Sequence, residues 1–524
     1  MTFEAPQIEW AYLAPVIAVL GAGVLGVLVE AFVPRRARRV TQLTLALLAT
    51  AGALVAVAAL WRDVAASGGQ AVLGGTLVMD GPALVLQGLV ALLGLVSLLV
   101  LADRTETGED AFAPAAAAVP GSDYEIEAQR RGLVQTEVFP LALFALGGMM
   151  LFPAAGDLLT LFVALEVLSL PLYLLTGMAR RRRLLSQEAS MKYFLLGAYA
   201  SGFFLFGAAL VYGFAGSTRF TDIAAAVGLP GGLDPLLLAG VVLLLVGLLF
   251  KVGAVPFHAW TPDAYQGAPT PVTGFMAACT KVAAFGAMLR LVYVVLPPLE
   301  WDVMPALWAV AVLTMLLGTV VAIVQTDVKR MLAYSSVAHA GFVLVGVVAM
   351  TASGVSSVLF YLLAYGLATI GAFAVVTLVR EVNGAGGAIV AEATHLSQWA
   401  GLGRRHPLLA GAFTLFLLSF AGIPLTAGFT GKFAVFSAAV EGDLAWLAVV
   451  GVVASAAAVF FYVRLVVLMF FTDPAGTPGE GTTVIGGEGF TVVAIGVAAI
   501  GTILLGVLPS PVLSLLGDAA QFLP

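Results

Sequence analysis

The chain has 524 residues, of which 61 % are hydrophobic and only 10 % are charged, and its formal net charge is −6. A mean hydropathy of +1.05 indicates that lipid, not water, surrounds most of the protein. This composition excludes the water-soluble classes of protein, and it predicts no nucleic-acid partner.

Apolar segments of helical length follow one another along the chain, and each can cross a bilayer. They lie near residues 9–33, 40–62, 82–102, 136–153, 157–178, 188–215, 236–255, 270–297, 302–324, 330–351, 354–380, 407–441, 444–472 and 489–510. Glu4 and Glu9 precede the first segment where a signal peptide would carry basic residues, so we expect this segment to be retained as a span. The sequence therefore predicts an all-α polytopic membrane protein with about 14 transmembrane helices.

The basic residues of the connections fall in alternate loops, on one side of the predicted bundle. They are Arg35, Arg36, Arg38, Arg39, Arg180 to Arg183, Lys329, Arg330, Arg380, Arg404 and Arg405, whereas the other side has Arg62 and Arg219. The positive-inside rule makes the arginine-rich side cytoplasmic. With an even number of spans, both termini are then predicted to lie outside.

The longest polar connection covers residues 103–135 and follows an N-terminal three-helix segment, residues 1–102. It contains an Ala/Pro-rich stretch at 112–120 and mixed charges after it. We predict a cytoplasmic loop, which either contacts a partner or is a solvated linker without a function of its own. The lack of any motif favours the linker.

A weak internal repeat divides the rest of the chain. Lys251-Val-Gly-Ala-Val-Pro-Phe257 in the seventh span resembles Phe420-Ala-Gly-Ile-Pro-Leu425 in the twelfth. Because an odd number of spans separates the two, they cross the membrane in opposite directions, as in transporters built from inverted repeats. The predicted units are 136–297 and 302–472, followed by a C-terminal loop and a last span, 473–524. Pro256 and Pro424 are each expected to interrupt a helix, which gives two discontinuous helices whose freed carbonyls are satisfied by water.

Three lysines, Lys251, Lys281 and Lys432, lie deep inside apolar spans. A charged side chain at the centre of a bilayer costs at least about 2.5 to 3.5 kcal/mol, so each lysine needs a partner, a hydrated cavity or a function. The alternative is that each ammonium snorkels to the interface. The length of the flanking apolar runs favours a function, and the sequence predicts a proton relay near hydrated backbone.

Glu166 is the acidic residue well inside a span of the first unit, so it is the predicted partner of a lysine. If it approaches Lys251, the proton is held, and if it withdraws, the proton is released. Lys192, early in the sixth span, is a second candidate partner for Glu166. An interfacial, lipid-facing position near Arg180 to Arg183 is an equally good interpretation of Lys192.

Two histidines are candidates for the same relay, because imidazole exchanges protons near neutral pH. His258 lies two residues after Pro256 and could link the relay to the cytoplasm, or it could be a loop histidine bonded to a carbonyl. His339 lies in the tenth span and could bridge Lys281 and Lys432, or it could be a structural histidine whose hydrogen bonds are satisfied.

The chain offers few ligands for a metal or a redox group. Cys279 is the one cysteine, which excludes a disulfide framework and a cysteine-ligated iron–sulfur cluster within the chain. No two of the four histidines have the spacing of a metal clamp on one helix, which leaves only haem ligation between helices open. The sequence predicts no metal site and no cofactor in this chain.

Three motifs closely resemble those of the antiporter-like subunits of respiratory complex I, a NADH:quinone oxidoreductase. They are Leu249-Phe-Lys-Val-Gly-Ala-Val-Pro-Phe-His258, Trp260-Thr-Pro-Asp-Ala-Tyr-Gln-Gly-Ala-Pro269 and Lys329-Arg-Met-Leu-Ala-Tyr-Ser-Ser336. The resemblance covers residues 136–472. It implies two inverted five-helix units and proton pumping driven by quinone chemistry in other subunits.

The resemblance also assigns residues and partners. It maps the family's glutamate onto Glu166 and its key lysines onto Lys251, Lys281 and Lys432. It implies FMN, iron–sulfur clusters and quinone in partner subunits and no redox chemistry in this chain. The implied partners are other membrane subunits, among them neighbouring antiporter-like subunits, together with membrane lipids and protons, in a bacterial plasma membrane.

Two other functions fit parts of the same pattern. A subunit of a multi-subunit cation/proton antiporter shares the lysine, proline, phenylalanine and histidine of the seventh span. A structural membrane-arm subunit without its own proton path would keep the lysines only because buried carboxylates satisfy them. Sodium-dependent transport would favour the first, and normal pumping after lysine replacement would favour the second.

Overall fold

The computed structural model describes residues 8–106, 108–114, 122–131, 134–229, 234–383, 388–473 and 481–523. The helices are α1 Trp10–Phe32, α2 Arg35–Ser67, α3 Gly81–Ala102, α4 Asp123–Arg130, α5 Val138–Leu151, α6 Leu158–Thr176, α7 Arg183–Ala215, α8 Phe220–Val227, α9 Pro235–Val252, α10 Trp260–Gly267, α11 Thr270–Phe275, α12 Lys281–Arg290, α13 Glu300–Val324, α14 Val328–Val347, α15 Ala352–Leu378, α16 Leu402–Arg405, α17 Pro407–Ala421, α18 Ala427–Glu441, α19 Ala445–Phe471, α20 Phe490–Val507 and α21 Ser510–Asp518. The strands are β1 Gln70–Val72, β2 Leu77–Met79, β3 Val379–Asn383, β4 Ala388–Glu392 and β5 Gly481–Val484.

The predicted all-α membrane fold is confirmed. Among the described residues, 12 helical segments have the length and hydropathy of a membrane span. One of them, residues 270–295, joins α11 and α12 through a π-helical turn, Met276–Thr280. The fourth and twelfth predicted spans correspond to shorter apolar helices, Val138–Ala154 and Pro407–Ala421. The total of 14 spans stays a prediction.

Aspartates fix where several helices begin. Asp80, Asp157, Asp234 and Asp327 each accept a hydrogen bond from a backbone N–H in the first turn of α3, α6, α9 and α14, respectively. Such a cap satisfies a donor that has no partner within the helix and contributes about 1 kcal/mol. The ends of these helices therefore follow from short-range sequence signals.

Two helices are interrupted where the sequence predicted, with a more specific geometry. Gly253 caps the C-terminus of α9 and Gly422 caps that of α17. Both glycines have the left-handed conformation, and the N–H of each donates to carbonyls of the last helical turn. Pro256 and Pro424 then follow within a few residues, where proline prevents the helix from continuing. Glycine thus ends each helix before the proline. The division into inverted units at 136–297 and 302–472 stays a prediction.

The centre of the molecule is α15, which is buried along its span and packs against α3, α11, α14, α17, α18 and α20. Segment 270–295 and α14 are buried almost as completely. α1, α2, α7 and α19 form more of the outer surface, where large apolar side chains remain exposed. Central helices therefore offer more positions at which a polar group lies away from lipid than the outer helices do.

The connections gather at two ends of the bundle. At one end, β3 pairs with both β4 and β5, and backbone bridges join Thr105 to Gly487 and Asp327 to His395. At the other end, the β1–β2 hairpin and a bridge from Leu77 to Ala155 hold the loops together. The first end collects the arginine-rich connections, in agreement with the predicted alternation. Which end faces the cytoplasm stays a prediction.

The 103–135 connection is described in part, since residues 107, 115–121 and 132–133 lie outside the described ranges. Its residues 108–114 are docked against the segment before α7. Phe112 is buried and forms a bridge with Ala179, and Arg180 forms ion pairs with Glu109 and Glu125 at 3.3 and 3.2 Å. The interpretation as a merely solvated linker is therefore wrong for this stretch, because a buried aromatic side chain and a buried guanidinium fix it in place.

Candidate functional site

Lys251, Lys281 and Lys432 are all buried, with 2 to 4 % of each residue exposed. None of them reaches the surface of the bundle, so the snorkelling interpretation does not fit this structure. Their partners differ, however, from the carboxylates and water that the sequence suggested.

Lys251, in the last turn of α9, donates hydrogen bonds to hydroxyl groups. Its Nζ lies 2.8 Å from Ser169 Oγ and 3.3 Å from Tyr193 Oη, and 5.9 Å from the centre of the Tyr173 ring. Aromatic faces and hydroxyls stabilise an ammonium without neutralising it. Lys251 therefore lies in a polar aromatic pocket between α6, α7 and α9.

Glu166 is a neighbour of this pocket and not a bonded partner of the lysine. It lies one helical turn before Ser169 on α6, and its carboxylate acts electrostatically on Lys251. Among the described residues no ion pair joins the two, and Glu166 Oε1 is buried without a hydrogen-bond partner. The predicted pair is thus adjacent but open, with the Ser169 hydroxyl bonded to the lysine.

Lys281 bonds to backbone at the end of the first interrupted helix. Its Nζ donates to the carbonyl oxygens of Val252, at 2.9 Å, and Ser336, at 2.7 Å. Val252 is the last residue of α9. The carbonyl end of a helix carries partial negative charge, so it stabilises an ammonium that lies against it.

Lys432 makes the corresponding contacts at the second interruption. Its Nζ donates to the carbonyls of Phe420 and Ala421, at 2.8 and 3.1 Å, and to Ser455 Oγ, at 2.7 Å. The first two residues end α17, and all three ammonium donors are used. The expectation that water alone satisfies the freed carbonyls was therefore incomplete, since a lysine from another segment binds them at each break.

Gly422 lies directly against this lysine, which gives a test of the geometry. A Cβ at Gly422 would be 2.9 Å from Lys432 Cδ, and the residue has a φ of +81°. We expect Gly422→Ala to cost about 1 to 2 kcal/mol in backbone strain and to displace the ammonium from its carbonyls, which would lower the proton transfer that the sequence predicts. Gly489→Ala is the matched control, because Gly489 also has a positive φ but has open space around its Cβ. Protons moved per electron should fall only in Gly422→Ala, whereas the melting temperature can fall in both variants. An equal fall in protons moved per electron in the two variants would contradict this expectation.

His339 is buried near Lys281 and Lys432, and its role as a bridge between them stays a prediction. Its Nδ1 is 2.7 Å from Tyr361 Oη, its Nε2 is 3.2 Å from Tyr462 Oη, and the charges of both lysines act on it. The Tyr365 ring lies 4.9 Å from the imidazole and 5.9 Å from Lys281 Nζ. The imidazole therefore has hydrogen-bond partners, as expected for a structural histidine, and it also lies near two lysines, as a relay requires.

Lys251, Lys281, His339 and Lys432 are called the line of buried lysines below. Two other predicted residues make none of the contacts described for these four. Lys192 is 45 % exposed and forms ion pairs with Glu188, at 2.7 Å, and Asp263, at 2.9 Å, where the sequence suggested Glu166. His258 is half-buried in the break after α9, and its Nδ1 has no hydrogen-bond partner among the described residues. The structure brings together Lys251, Lys281, His339 and Lys432 but not these two.

Sequence reasoning missed the hydroxyl groups around the lysines. They are Ser169, Tyr173, Tyr193, Tyr265, Ser336, Tyr361, Tyr365, Ser455 and Tyr462. Most of them are buried, and a buried hydroxyl requires a hydrogen-bond partner. The signal that could have found them is the recurrence of tyrosine and serine inside spans that are otherwise mostly apolar.

Lys329 was also misjudged, because its charge suggested a cytoplasmic loop. It is the second residue of α14 and is only 2 % exposed. Its Nζ donates to the carbonyl of Ala268 at 2.7 Å and lies 3.5 Å from Glu392 Oε2. This lysine is therefore part of the protein interior at the arginine-rich end.

In the described part of the chain, no three histidine, cysteine, aspartate or glutamate side chains are grouped so that they could hold a metal ion. Cys279 is buried as a free thiol.

Comparison with known proteins identifies the family. The family model described as "NADH:quinone oxidoreductase/Mrp antiporter, TM" matches residues 155–458, which is more than half of the chain. The chain belongs to this family. The matched range includes Glu166, Lys251, Lys281, Lys432 and His339, and it confirms the resemblance to antiporter-like subunits.

Curated relatives agree in name and in length. The NADH-quinone oxidoreductase subunit N of Beutenbergia cavernae is 66 % identical over 530 aligned residues, which cover 100 % of both chains. The protein of the same name from Mycobacterium tuberculosis strain H37Rv is 53 % identical, again over 100 % of both chains. Two features of the sequence resemble subunit N among the antiporter-like subunits: the segment Tyr265-Gln-Gly-Ala-Pro-Thr-Pro271 and the lysine in the twelfth span. The curated relatives confirm this resemblance.

Solved structures confirm the fold. A chain of respiratory complex I from Thermus thermophilus with bound aureothin is 34 % identical, with a TM-score of 0.76 over 96 % of this chain and 100 % of that one. A chain of the Mrp complex from Dietzia sp. is 23 % identical, with a TM-score of 0.77 over 98 % of this chain and 96 % of that one. The second likeness, at its low identity, concerns the fold alone.

Proposed function

We propose that this chain translocates protons as the subunit N component of a NADH:quinone oxidoreductase in a bacterial plasma membrane, with both termini outside. FMN, the iron–sulfur clusters and quinone belong to partner subunits, and neighbouring antiporter-like subunits flank this one. The observation that carries the proposal is the group of four buried proton-binding side chains, Lys251, Lys281, His339 and Lys432, inside an apolar bundle. Buried ionisable groups in a membrane are costly and mark ion pathways.

Glu166 and Lys251 are the charge-sensitive end of this line. The carboxylate is adjacent to the lysine but does not bond to it, and one of its oxygens has no partner. A small movement of α6 would bring the two together and hold the proton on Lys251, and the reverse movement would release it. A change of ion-pair partner shifts a buried lysine by several pK units of about 1.36 kcal/mol each, and moving one charge across 100 mV costs only about 2.3 kcal/mol.

The interrupted helices give Lys281 and Lys432 two stable states. When protonated, each ammonium satisfies carbonyls at the end of α9 or α17. When neutral, each amine keeps two N–H donors, so the three acceptors around Lys432 lose one donor, which costs about 1 to 3 kcal/mol for a buried group that stays unpaired. The two carbonyls around Lys281 keep only weaker hydrogen bonds from an uncharged donor. Water can then enter the break and satisfy them, so protonation and hydration of the break are coupled. His339 carries the proton between the two lysines.

The proposal is tested by replacing Lys251 with methionine in the complete complex. We expect the initial rate of NADH-driven proton uptake into inside-out vesicles to fall about tenfold, since one titratable group of the line is lost. Arg404→Met is the control, because Arg404 is exposed and pairs with Asp473 far from the line. Unchanged pumping per electron in an assembled Lys251→Met complex would favour the structural-subunit alternative instead.

The antiporter alternative needs a separate measurement. The fold is shared with a chain of the Mrp complex, and the family description includes the Mrp antiporter. Sodium-dependent proton movement in vesicles that lack NADH and quinone would favour this function. We expect none, because subunit N relatives match over their full length at 53 to 66 % identity.

A further inference from the structure

A cavity at the arginine-rich end lies between the start of α2 and the residues that precede α5. Its volume is about 560 Å³, which is within the range of about 300 to 1,000 Å³ that is usual for ligand pockets. Among the described residues, its lining has one carboxylate, that of Glu137, and six arginines: Arg35, Arg36, Arg38, Arg39, Arg104 and Arg131. We call this space the arginine cavity.

The protein compensates the positive charge of the arginine cavity only in part. Four of the six arginines have a carboxylate partner, in the pairs Arg38–Glu30, Arg39–Glu488, Arg104–Asp110 and Arg131–Glu127. Arg35 and Arg36, the first two residues of α2, are exposed and form no ion pair in the described part of the chain. Two unpaired guanidinium groups therefore face the one unpaired carboxylate of Glu137, and the cavity keeps an excess of positive charge.

Arg104 gives independent evidence that this wall accommodates an anion. Its Nε is buried without a hydrogen-bond partner among the described residues, and its Nη2 lies 3.9 Å from Asp110. Burial lowers the pKa of Arg104, and the neighbouring Arg39 lowers it further, against the opposite effect of Asp110 and Glu488. Two positive charges are thus held close together, which disfavours both. A ligand that accepts hydrogen bonds and carries negative charge would relieve this arrangement.

The cavity lies at the level of the lipid headgroups. α1 has 23 residues and is therefore about 35 Å long, close to the thickness of the hydrocarbon core of a bilayer. Its last residue, Phe32, is 80 % exposed, and α2 begins three residues later with Arg35. The arginines are thus placed where the phosphates of a bilayer lie.

The surface beside these charges is apolar. Val40, one turn after Arg36, lines the cavity and is 65 % exposed, and Val134 lines it as well. Leu48, two turns further along α2, is also exposed. Guanidinium groups bind phosphate oxygens through paired hydrogen bonds, while the apolar face suits acyl chains. A phospholipid uses both surfaces, whereas a free phosphate or an acidic protein segment uses only the first.

We propose that the arginine cavity binds the headgroup of an anionic phospholipid, with its phosphodiester between the guanidinium groups and its acyl chains along the exposed face of α2. Basic pockets at membrane helices recognise anionic headgroups in this way. Arg39 also donates to the carbonyl of Ala102, at the end of α3, at 2.9 Å. The bound phosphate therefore lies next to the point where α2 is joined to α3, and the lipid stabilises the packing of α1 and α2 on the bundle. This site is independent of the line of buried lysines.

The experiment uses the complete complex in phosphatidylcholine vesicles that contain a small fraction of phosphatidylglycerol with a photoreactive group beside its phosphate. After illumination, we expect labelled residues within 33–40 and 134–137. Arg35→Gln with Arg36→Gln should lower this labelling at least about tenfold, because each basic residue near the surface attracts anionic lipid. Arg35→Lys with Arg36→Lys keeps both charges and should retain most of it. Arg62→Gln with Arg219→Gln is the matched control, since it removes two exposed arginines from the opposite end, and it should leave the labelling unchanged.

Competition in the wild-type complex separates the ligands and does not depend on the folding of a variant. Unlabelled phosphatidylglycerol in excess should suppress the labelling, whereas inorganic phosphate in the medium should not. Suppression by inorganic phosphate would mean that the cavity takes a free anion. Equal labelling by a photoreactive phosphatidylcholine would mean lipid contact without recognition of charge, and no labelling at all would mean that a partner subunit covers the cavity. Each of these results overturns the proposal, as does undiminished labelling after Arg35→Gln with Arg36→Gln.

Discussion

Replacing Lys432 by methionine is expected to stop proton transfer through this chain while the complex still assembles. The ammonium donates two hydrogen bonds to carbonyls at the end of α17 and a third to the Ser455 hydroxyl on α19, and methionine can make none of them. We expect NADH-driven proton uptake to fall at least tenfold, equivalent to a barrier raised by about 1.4 kcal/mol or more. Electron transfer from NADH to an artificial acceptor, which precedes quinone, should stay at the wild-type level and serves as the measure of assembly.

The variant Lys432→Arg tests whether Lys432 carries protons or only stabilises the end of α17. Arginine keeps a positive charge against the carbonyls of Phe420 and Ala421 but does not release a proton. If Lys432 only caps the helix, arginine should restore pumping relative to methionine. If it carries protons, both variants should be equally inactive, which is our expectation. Pumping by Lys432→Arg at half of the wild-type rate or more would contradict the relay.

Hydropathy alone was enough to predict where the buried lysines lie, because a charge within an apolar run is visible in the sequence. Their partners were not predictable in the same way. Lys281 bonds to Val252 and Ser336, which are 29 and 55 residues away in sequence, and both acceptors are backbone carbonyls. Every residue has a carbonyl, so no residue type reveals which one accepts. The open arrangement of Glu166 and Lys251 likewise depends on how α6 packs against α9.

The positions of the helix breaks were predictable for a local reason. Pro256 and Pro424 mark them in the sequence, and Gly253 and Gly422 complete the caps within a few residues. Lys329 shows the opposite case. A loop charge and a buried charge look alike in sequence, and Lys329 is buried against Ala268 and Glu392, which are 61 and 63 residues away.

Arg290 and Arg464 lie inside apolar segments, and the structure gives each of them a protein partner. Arg464 donates to the carbonyls of Ile323 and Gln325, at 2.8 and 2.6 Å. Arg290 pairs with Asp80 at 2.7 Å, and both residues are buried. The Arg290–Asp80 ion pair joins α12 to the start of α3, at the end of the bundle opposite the arginine-rich connections. Because both charges are buried, we expect this pair to matter strongly for stability.

Arg290→Met is therefore expected to destabilise the chain strongly. It would leave the Asp80 carboxylate buried without a counter-charge, which costs about 3 to 5 kcal/mol. Asp80 would keep its bonds from the backbone of Ala83 and Leu523, which do not neutralise the charge. The purified complex should unfold at a clearly lower temperature, or the subunit should be depleted from the membrane.

The double variant Arg290→Met with Asp80→Asn identifies the cause. It removes both charges and keeps an acceptor that can cap α3, so it should recover a large part of the lost stability. Asp80→Asn alone should also destabilise, because the Arg290 guanidinium is then buried without a carboxylate and keeps the carbonyl of Pro153 as its acceptor. If the double variant is as unstable as the sum of the two single variants, the ion pair is not the source of the loss, and the packing of the Arg290 side chain against Phe522 is the better explanation.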